Sequence, residues 1–266
     1  MTLRTIPKTL ALRLLPDGML QFVKKMHYPR VLRRVTAFEE PDLQVLDYLV
    51  YEGQFAVDIG ANVGVYSKYL SKRVGRSGRV LSVEPIPLTA DILRSNLMKL
   101  RLENVEARNC AISDKDGEVR MQVPRYESGG EDFYRAHIVV AESPGTLRSI
   151  VVPSRTVDSL LSAVAKVHFI KCDVEGHELN CIRGAIGTIE RSKPAWLLEI
   201  SGDMAEAGSD AQQTYRILRS LGYTARWFDG AALRQWHPGV HSVNYFFLMA
   251  SHIETITQRG LPVLPS

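Results

Sequence analysis

Cysteine is scarce in this 266-residue sequence: Cys110, Cys172 and Cys181 are the three, and none stands in a C-x-x-C pair. That excludes a disulfide scaffold and a zinc ribbon, and an odd set of thiols suits a reducing compartment. No apolar run approaches the ~18 residues needed to span a bilayer. The N-terminus also lacks a continuous apolar stretch followed by a small-residue cleavage site, so a cytoplasmic protein is expected. Net charge is low, +4, which by itself argues for no nucleic-acid partner. Two phosphate-gripping glycine patterns are missing as well: G-x-G-x-x-G and a loop ending in Gly-Lys-Ser/Thr.

What charge there is lies at one end. Residues 1–34 carry eight Lys or Arg (Arg4, Lys8, Arg13, Lys24, Lys25, Arg30, Arg33, Arg34) against Asp17, so this stretch is +7 and the remainder −3. Leu10, Leu14 and Leu15, then Met19, Phe22, Val23 and Met26, recur at helical spacing on either side of Pro16, which predicts two short amphipathic helices. Residues 1–38 therefore read as a basic helical arm and 39–266 as one domain. Such an arm is either a cap docked on the domain or a contact for an anionic membrane or substrate, the latter placing the protein at the inner membrane surface.

Beyond the arm, β-rich apolar runs alternate with helical patterns, as βαβ units around a parallel sheet require. Seven strands are predicted, at 55–59, 80–83, 105–110, 167–172, 196–200, 223–228 and 243–249, with helices at 65–73, 89–100, 157–165, 178–190 and 211–221. Runs at 118–123 and 149–152 predict an antiparallel excursion, and the polar stretch 125–145 a loop over a site. The last two strands are separated by about fifteen residues, too few for a helical crossover, so a hairpin and an antiparallel last strand are expected.

Two segments carry chemistry. In Phe55-Ala-Val-Asp-Ile-Gly-Ala-Asn-Val-Gly-Val-Tyr-Ser67 a buried strand ends in an acid, a glycine turn and a helix. Gly60 would admit backbone close to a ligand, Gly64 would let the helix pack on the sheet, and Asn62 tolerates left-handed geometry. Asp58 would repel a pyrophosphate, which favours a cationic or amino-bearing ligand. Glu84 ends the second strand where an acid can accept from both ribose hydroxyls of an adenosine, Pro85 directs the chain's exit, and Ala111 lies where an adenine could rest. The second segment, His168-Phe-Ile-Lys-Cys-Asp-Val-Glu-Gly-His-Glu178, gathers Asp173, Glu175, His177 and Glu178 at the fourth strand's end. Proton removal from an acceptor needs a base or a metal, and Asp173 and His177 are the candidates. Glu199 and Asn244 are expected to border the same crevice, where Asp173 with Glu199 would suit magnesium. No Cys/His spacing supports zinc, no residue is assigned as a metal ligand, and base versus metal stays open.

Two motifs within these segments, Asp58–Ser67 and Ile170–Glu178, with Glu40-Pro41, Val83-Glu-Pro85, Asn96 and Arg155-Thr-Val-Asp-Ser-Leu160, resemble those of the FkbM-type methyltransferase family. The resemblance implies a seven-stranded Rossmann-like sheet, mostly parallel with an antiparallel last strand and helices on both faces. It implies S-adenosylmethionine as cofactor and O-methylation of a sugar, glycolipid or other natural product. Cofactor roles carry over onto Asp58, Gly60, Asn62, Gly64, Ser67, Glu84 and Ala111, with Tyr66 and Pro85 beside them, and a catalytic role onto Asp173, Glu175 and His177. The Asn/Asp-Pro-Pro-Tyr/Phe signature of base N-methyltransferases is missing, so a small-molecule or glycan partner is expected and nucleic acid is not. A catalytically idle cofactor-binding protein and a nicotinamide-dependent oxidoreductase are the alternatives. The sequence is silent on the acceptor and on oligomeric state.

Overall fold

The structure is a computed structural model that describes residues 17–36, 40–123, 137–138 and 148–265. Its helices are α1 (Asp17–Arg34), α2 (Leu43–Leu49), α3 (Val65–Val74), α4 (Pro87–Leu100), α5 (Val157–Leu160), α6 (Glu178–Arg183), α7 (Ile186–Ser192), α8 (Asp210–Ser220) and α9 (Ala250–Gln258). The strands are β1 (Phe55–Ile59), β2 (Arg79–Val83), β3 (Val105–Arg108), β4 (Ala111–Ile112), β5 (Gly117–Val123), β6 (His137–Ile138), β7 (Arg148–Arg155), β8 (Phe169–Cys172), β9 (Ala195–Glu199), β10 (Thr224–Phe228), β11 (Leu233–Gln235), β12 (Asn244–Leu248) and β13 (Val263–Leu264).

Nine strands form one sheet in the order β3-β2-β1-β8-β9-β12-β10-β11-β13. The first five are parallel, and β12 runs antiparallel to both β9 and β10. All seven predicted strands are present, the expected antiparallel one included, and β11 and β13 extend the edge. The strands alternate between two apolar layers, as a sheet covered on both faces requires. Val57, Ile59, Ile170 and Cys172 pack with residues of α5 to α8, whereas Ala56, Phe169 and Leu197 pack with α2, α3 and α9. The carboxyl ends of β1, β2, β8 and β9 consequently lie side by side.

Several boundaries differ from the sequence reading. The third strand stops at Arg108 because the Asn109 amide donates to the carbonyls of Glu84 and Pro85 and turns the chain; Ala111–Ile112 then joins a second sheet, β4-β7-β5-β6. The excursion is there, with β5 antiparallel to β7. Most of the 125–145 stretch lies outside the described residues. The single helix expected at 178–190 is two, because the Asp158 carboxylate accepts from the Gly187 and Thr188 N–H groups and so starts α7 afresh. Helix α5 ends at Leu160, short of the expected 165, as the chain turns to reach Val167, whose N–H goes to Ser192. The Asp229-Gly230 turn closes β10 on β11, not on the seventh predicted strand, β12, which returns along the other edge of β10.

The arm is described from Asp17 onward. Asp17–Arg34 is one helix with Pro29 inside it, and the expected break at Pro16 lies outside the described residues. It docks on α4 through Leu32, which packs with Val63 and Ile92, and through a Lys25–Asp91 ion pair. Phe22, Val23 and Met26, expected on an apolar face, are exposed.

Candidate functional site

After β1 the chain turns through Gly60, Ala61 and Asn62. A β carbon at Gly60, where φ is +73°, would lie 1.8 Å from the carbonyl oxygen of Asp173. Glycine is therefore demanded by the neighbouring strand's exit, whereas the sequence suggested room for a ligand. Asn62 takes the left-handed conformation expected of it, φ +50°. At Gly64, φ +99°, a β carbon would meet Leu93 of α4 at 2.8 Å, so this glycine admits a neighbouring helix more than it packs α3 on the sheet.

Glu84 joins two of the loops. Its Oε2 accepts from the Asn62 N–H at 2.9 Å and its Oε1 from the Ile86 N–H at 3.0 Å. Burial pushes this carboxyl up to about 7 in spite of both bonds. One layer below, Asp58 is paired in register with Ser82 on one side and Lys171 on the other. Ser67 Oγ donates to Asp58 Oδ2 at 2.6 Å, and Ser82 Oγ donates to Ser67 at 2.8 Å. Asp58, Gly64 and Ser67 thus shape the loop from beneath, and none borders the clefts described next.

Asp173 divides the crevice in two. One cleft, of about 620 Å³, is bordered by Gly60, Asn62, Glu84, Pro85, Ala111, Asp173 and Glu175, with Ile86, Cys110, Ile112, Met121 and Ile138 as an apolar wall. The other, of about 640 Å³, is polar: Glu40, Tyr66, Lys171, Asp173, Glu199 and Asn244 surround the same Gly60–Asn62 turn. Lys171 is the cation bordering it; its Nζ donates to Asp173 Oδ2 at 2.9 Å and lies 5.0 Å from the Tyr66 ring centre. Burial opposes the charge on Lys171, but Asp173 and then Asp58 outweigh it, so the ammonium is held more firmly than usual. Asn244 donates to Asp42 at 2.8 Å.

Of the three residues expected to act on an acceptor, Asp173 borders both clefts and Glu175, at φ +52°, borders the apolar-walled one. His177 borders neither. It stands at the start of α6, its Nε2 is 2.9 Å from Ser113 Oγ, and burial lowers its pKa, which keeps the imidazole neutral. Glu178 accepts from the N–H groups of Gly176 and, more weakly, Val174, and so holds the turn itself. Sequence reasoning passed over Lys171, whose signal was a lone cation inside an apolar strand, and gave no site role to Glu40. Among the described residues no group of three His, Cys, Asp or Glu is arranged to hold a metal ion.

The family model of the Methyltransferase FkbM domain matches residues 58–225. The chain belongs to the FkbM methyltransferase family. Methyltransferase 1 of Beauveria bassiana is 22% identical over 147 residues, 50% of this chain and 59% of that protein. Ribosomal RNA large subunit methyltransferase E of Sorangium cellulosum is 37% identical over 75 residues, 28% of this chain and 34% of that protein. The chain thus spans less than two thirds of either relative's length. The crystal structure of methyltransferase FkbM from Methylobacillus flagellatus KT covers 75% of this chain and 45% of its own, at 18% identity and a TM-score of 0.49. The FkbM segment contains both motifs, but Glu40 and Asn244 fall outside it. The polar cleft is therefore walled partly by residues outside the matched segment.

Proposed function

We propose that the chain transfers a methyl group from S-adenosylmethionine to a hydroxyl of an uncharged small molecule or glycan. The observation that carries this reading is one crevice divided at Asp173 into an apolar-walled cleft with an acid, Glu84, and an anionic polar cleft. When bound, the cofactor supplies a methyl group on a positively charged sulfur. Asn62, which borders both clefts, has its Oδ1 buried without a hydrogen-bond partner among the described residues, which fits a ligand that brings donors. Glu84 has lone pairs left for ribose hydroxyls after its two backbone bonds, and Pro85, Ala111, Cys110 and Ile112 offer apolar surface to an adenine. Tyr66 and Asp173 would flank the other end, with Gly64 and Ser67 supporting from behind.

In the polar cleft Asp173 orients the acceptor, Glu175 limits the cleft on the cofactor side, and His177 steadies the turn. The Lys171 ammonium occupies the position at Asp173 that a divalent cation would need, which favours a side-chain base over a metal. Glu40, Asp173 and Glu199 against one lysine would repel a phosphate. That supports a neutral acceptor over nucleic acid, although one relative is named for ribosomal RNA. No described helix is long and apolar enough to cross a membrane, and we place the chain in the cytoplasm with its arm able to meet anionic lipid.

Calorimetric titration with S-adenosylmethionine and with NAD tests the cofactor, and a labelled-methyl screen of neutral glycosides against sugar phosphates tests the acceptor. Binding of the first cofactor alone, with methyl transfer to neutral hydroxyls, is expected. Binding of NAD alone, or transfer confined to phosphorylated compounds, overturns the reading. A protein that binds the cofactor and methylates nothing would be the idle partner.

A further inference from the structure

We infer that Glu199 is the group that takes the proton from the acceptor hydroxyl, with the Lys171–Asp173 ion pair as its positioning charge. The inference rests on the methyl-transfer reading above and names the base within it.

The carboxylates around the polar cleft are not equivalent. Asp173 already holds Lys171 at 2.9 Å, and Asp42 accepts from Asn244 at 2.8 Å. Glu178 is engaged by backbone N–H groups of its own turn, and Glu175 borders the other cleft. Glu199 borders the polar cleft, and its side chain makes no hydrogen bond or ion pair among the described residues. Its backbone is fixed on both sides, since Leu198 pairs with Cys172 of β8 and Glu199 itself with Asn244 of β12. Glu40 shares the cleft but stands before α2, outside the sheet. A reacting group carried on a central strand keeps its geometry better than one on a loop.

The surroundings also suit a base. Burial first, then the facing Asp173 charge, with Glu175 and Glu178 adding and Lys171 opposing, push the Glu199 carboxyl up to about 7. A proton acceptor works best when its pKa is near the operating pH. Asn62, Asn244, Glu40 and Tyr66, with Asp42 bonded to Asn244, are the other polar and titratable groups around the cleft. In the step, the acceptor's O–H bond breaks toward Glu199 as its oxygen bonds to the methyl carbon. The carbon–sulfur bond breaks, its electron pair stays on sulfur as a neutral thioether, and protonated Glu199 returns its proton to solvent.

The test uses the full chain. Carboxyl-carbon NMR on glutamate-labelled protein follows Glu199, identified by the signal lost in Glu199→Gln, and calorimetry follows S-adenosylmethionine binding. Glu199 is expected to titrate near 7 and to move down in Asp173→Asn. Cofactor affinity in Glu199→Gln should stay within about twofold of wild type, while kcat on any neutral glycoside that wild type methylates falls by ~10²- to 10⁴-fold. Glu199→Asp, which keeps the charge one methylene short, should lie between. Titration near the ordinary 4.5, a tenfold or greater loss of cofactor affinity (~1.4 kcal/mol) in Glu199→Gln, or undiminished turnover would each overturn the assignment. Wild-type protein that binds no S-adenosylmethionine would instead sink the methyl-transfer reading itself, and the assignment with it.

Discussion

At Glu84 two demands meet in one carboxyl, because it ties the Asn62 and Ile86 loops while standing where ribose hydroxyls would donate. Its folded pKa, about 7, lies above the ordinary 4.5. The protonated form is thus favoured by folding, and that stabilisation, on the order of 3 kcal/mol, is full below about pH 4.5 and lost as pH rises through about 7. Donors from a ribose favour the ionised form, so cofactor affinity should rise about tenfold between about pH 6 and pH 8. Calorimetry should show that rise flattened in Glu84→Gln and retained in Glu199→Gln; a rise that survives in Glu84→Gln would place the ribose elsewhere. Gly60→Ala sets a β carbon 1.8 Å from the Asp173 carbonyl, and we expect ~3 kcal/mol or more of lost stability, read from denaturant melts. His177→Ala removes the bond to Ser113 and should cost about 1 kcal/mol with cofactor affinity unchanged; parallel losses of binding and activity would return His177 to the site.

Helix α1 borders neither cleft but packs against the turn that does. Leu32 is buried against Val63, which follows Asn62 in the turn after β1, and Ile92 of α4. The Lys68 ammonium donates to the carbonyls of Leu32 and Val35 at the helix's end, where such a charge also meets the helix dipole favourably. Leu32→Ala should therefore destabilise by ~2 to 4 kcal/mol and weaken cofactor binding along with it. Unchanged affinity in a folded Leu32→Ala protein would show that α1 and the loop are independent. Helices α3, α4 and α8 were legible because each has a clear apolar period and a marked start: Gly64, Pro87 and Ser209. Helix α2 and the split between α6 and α7 were not. Helix α2 is two turns long, and α7 begins on a carboxylate 28 residues earlier in the chain, Asp158.

Over the whole molecule the basic excess of residues 1–34 stands against an otherwise acidic chain, with Phe22, Val23 and Met26 exposed beside Arg30, Arg33 and Arg34. Apolar side chains flanked by cations are what an anionic lipid surface attracts. Co-sedimentation should show binding to anionic vesicles and not to neutral ones, weakening as salt rises. Equal binding to both, or to neither, would leave the arm as a cap on α4 alone.

By itself the sequence determined the parallel strands, the turn after β1, the acids at the ends of β2 and β8 and the family to which they point. Each is a local pattern: a run of β-branched residues, a glycine, a carboxylate at a strand end. Tertiary structure decided what those residues do for one another. Gly60 answers to a carbonyl 113 residues away, Asp173 is committed to a lysine that shares a strand register with Asp58, and the Glu199 side chain has no partner among the described residues while its backbone pairs with Asn244 from a distant part of the chain. Pairing, burial and charge balance depend on which surfaces meet, and no spacing along the sequence contains that.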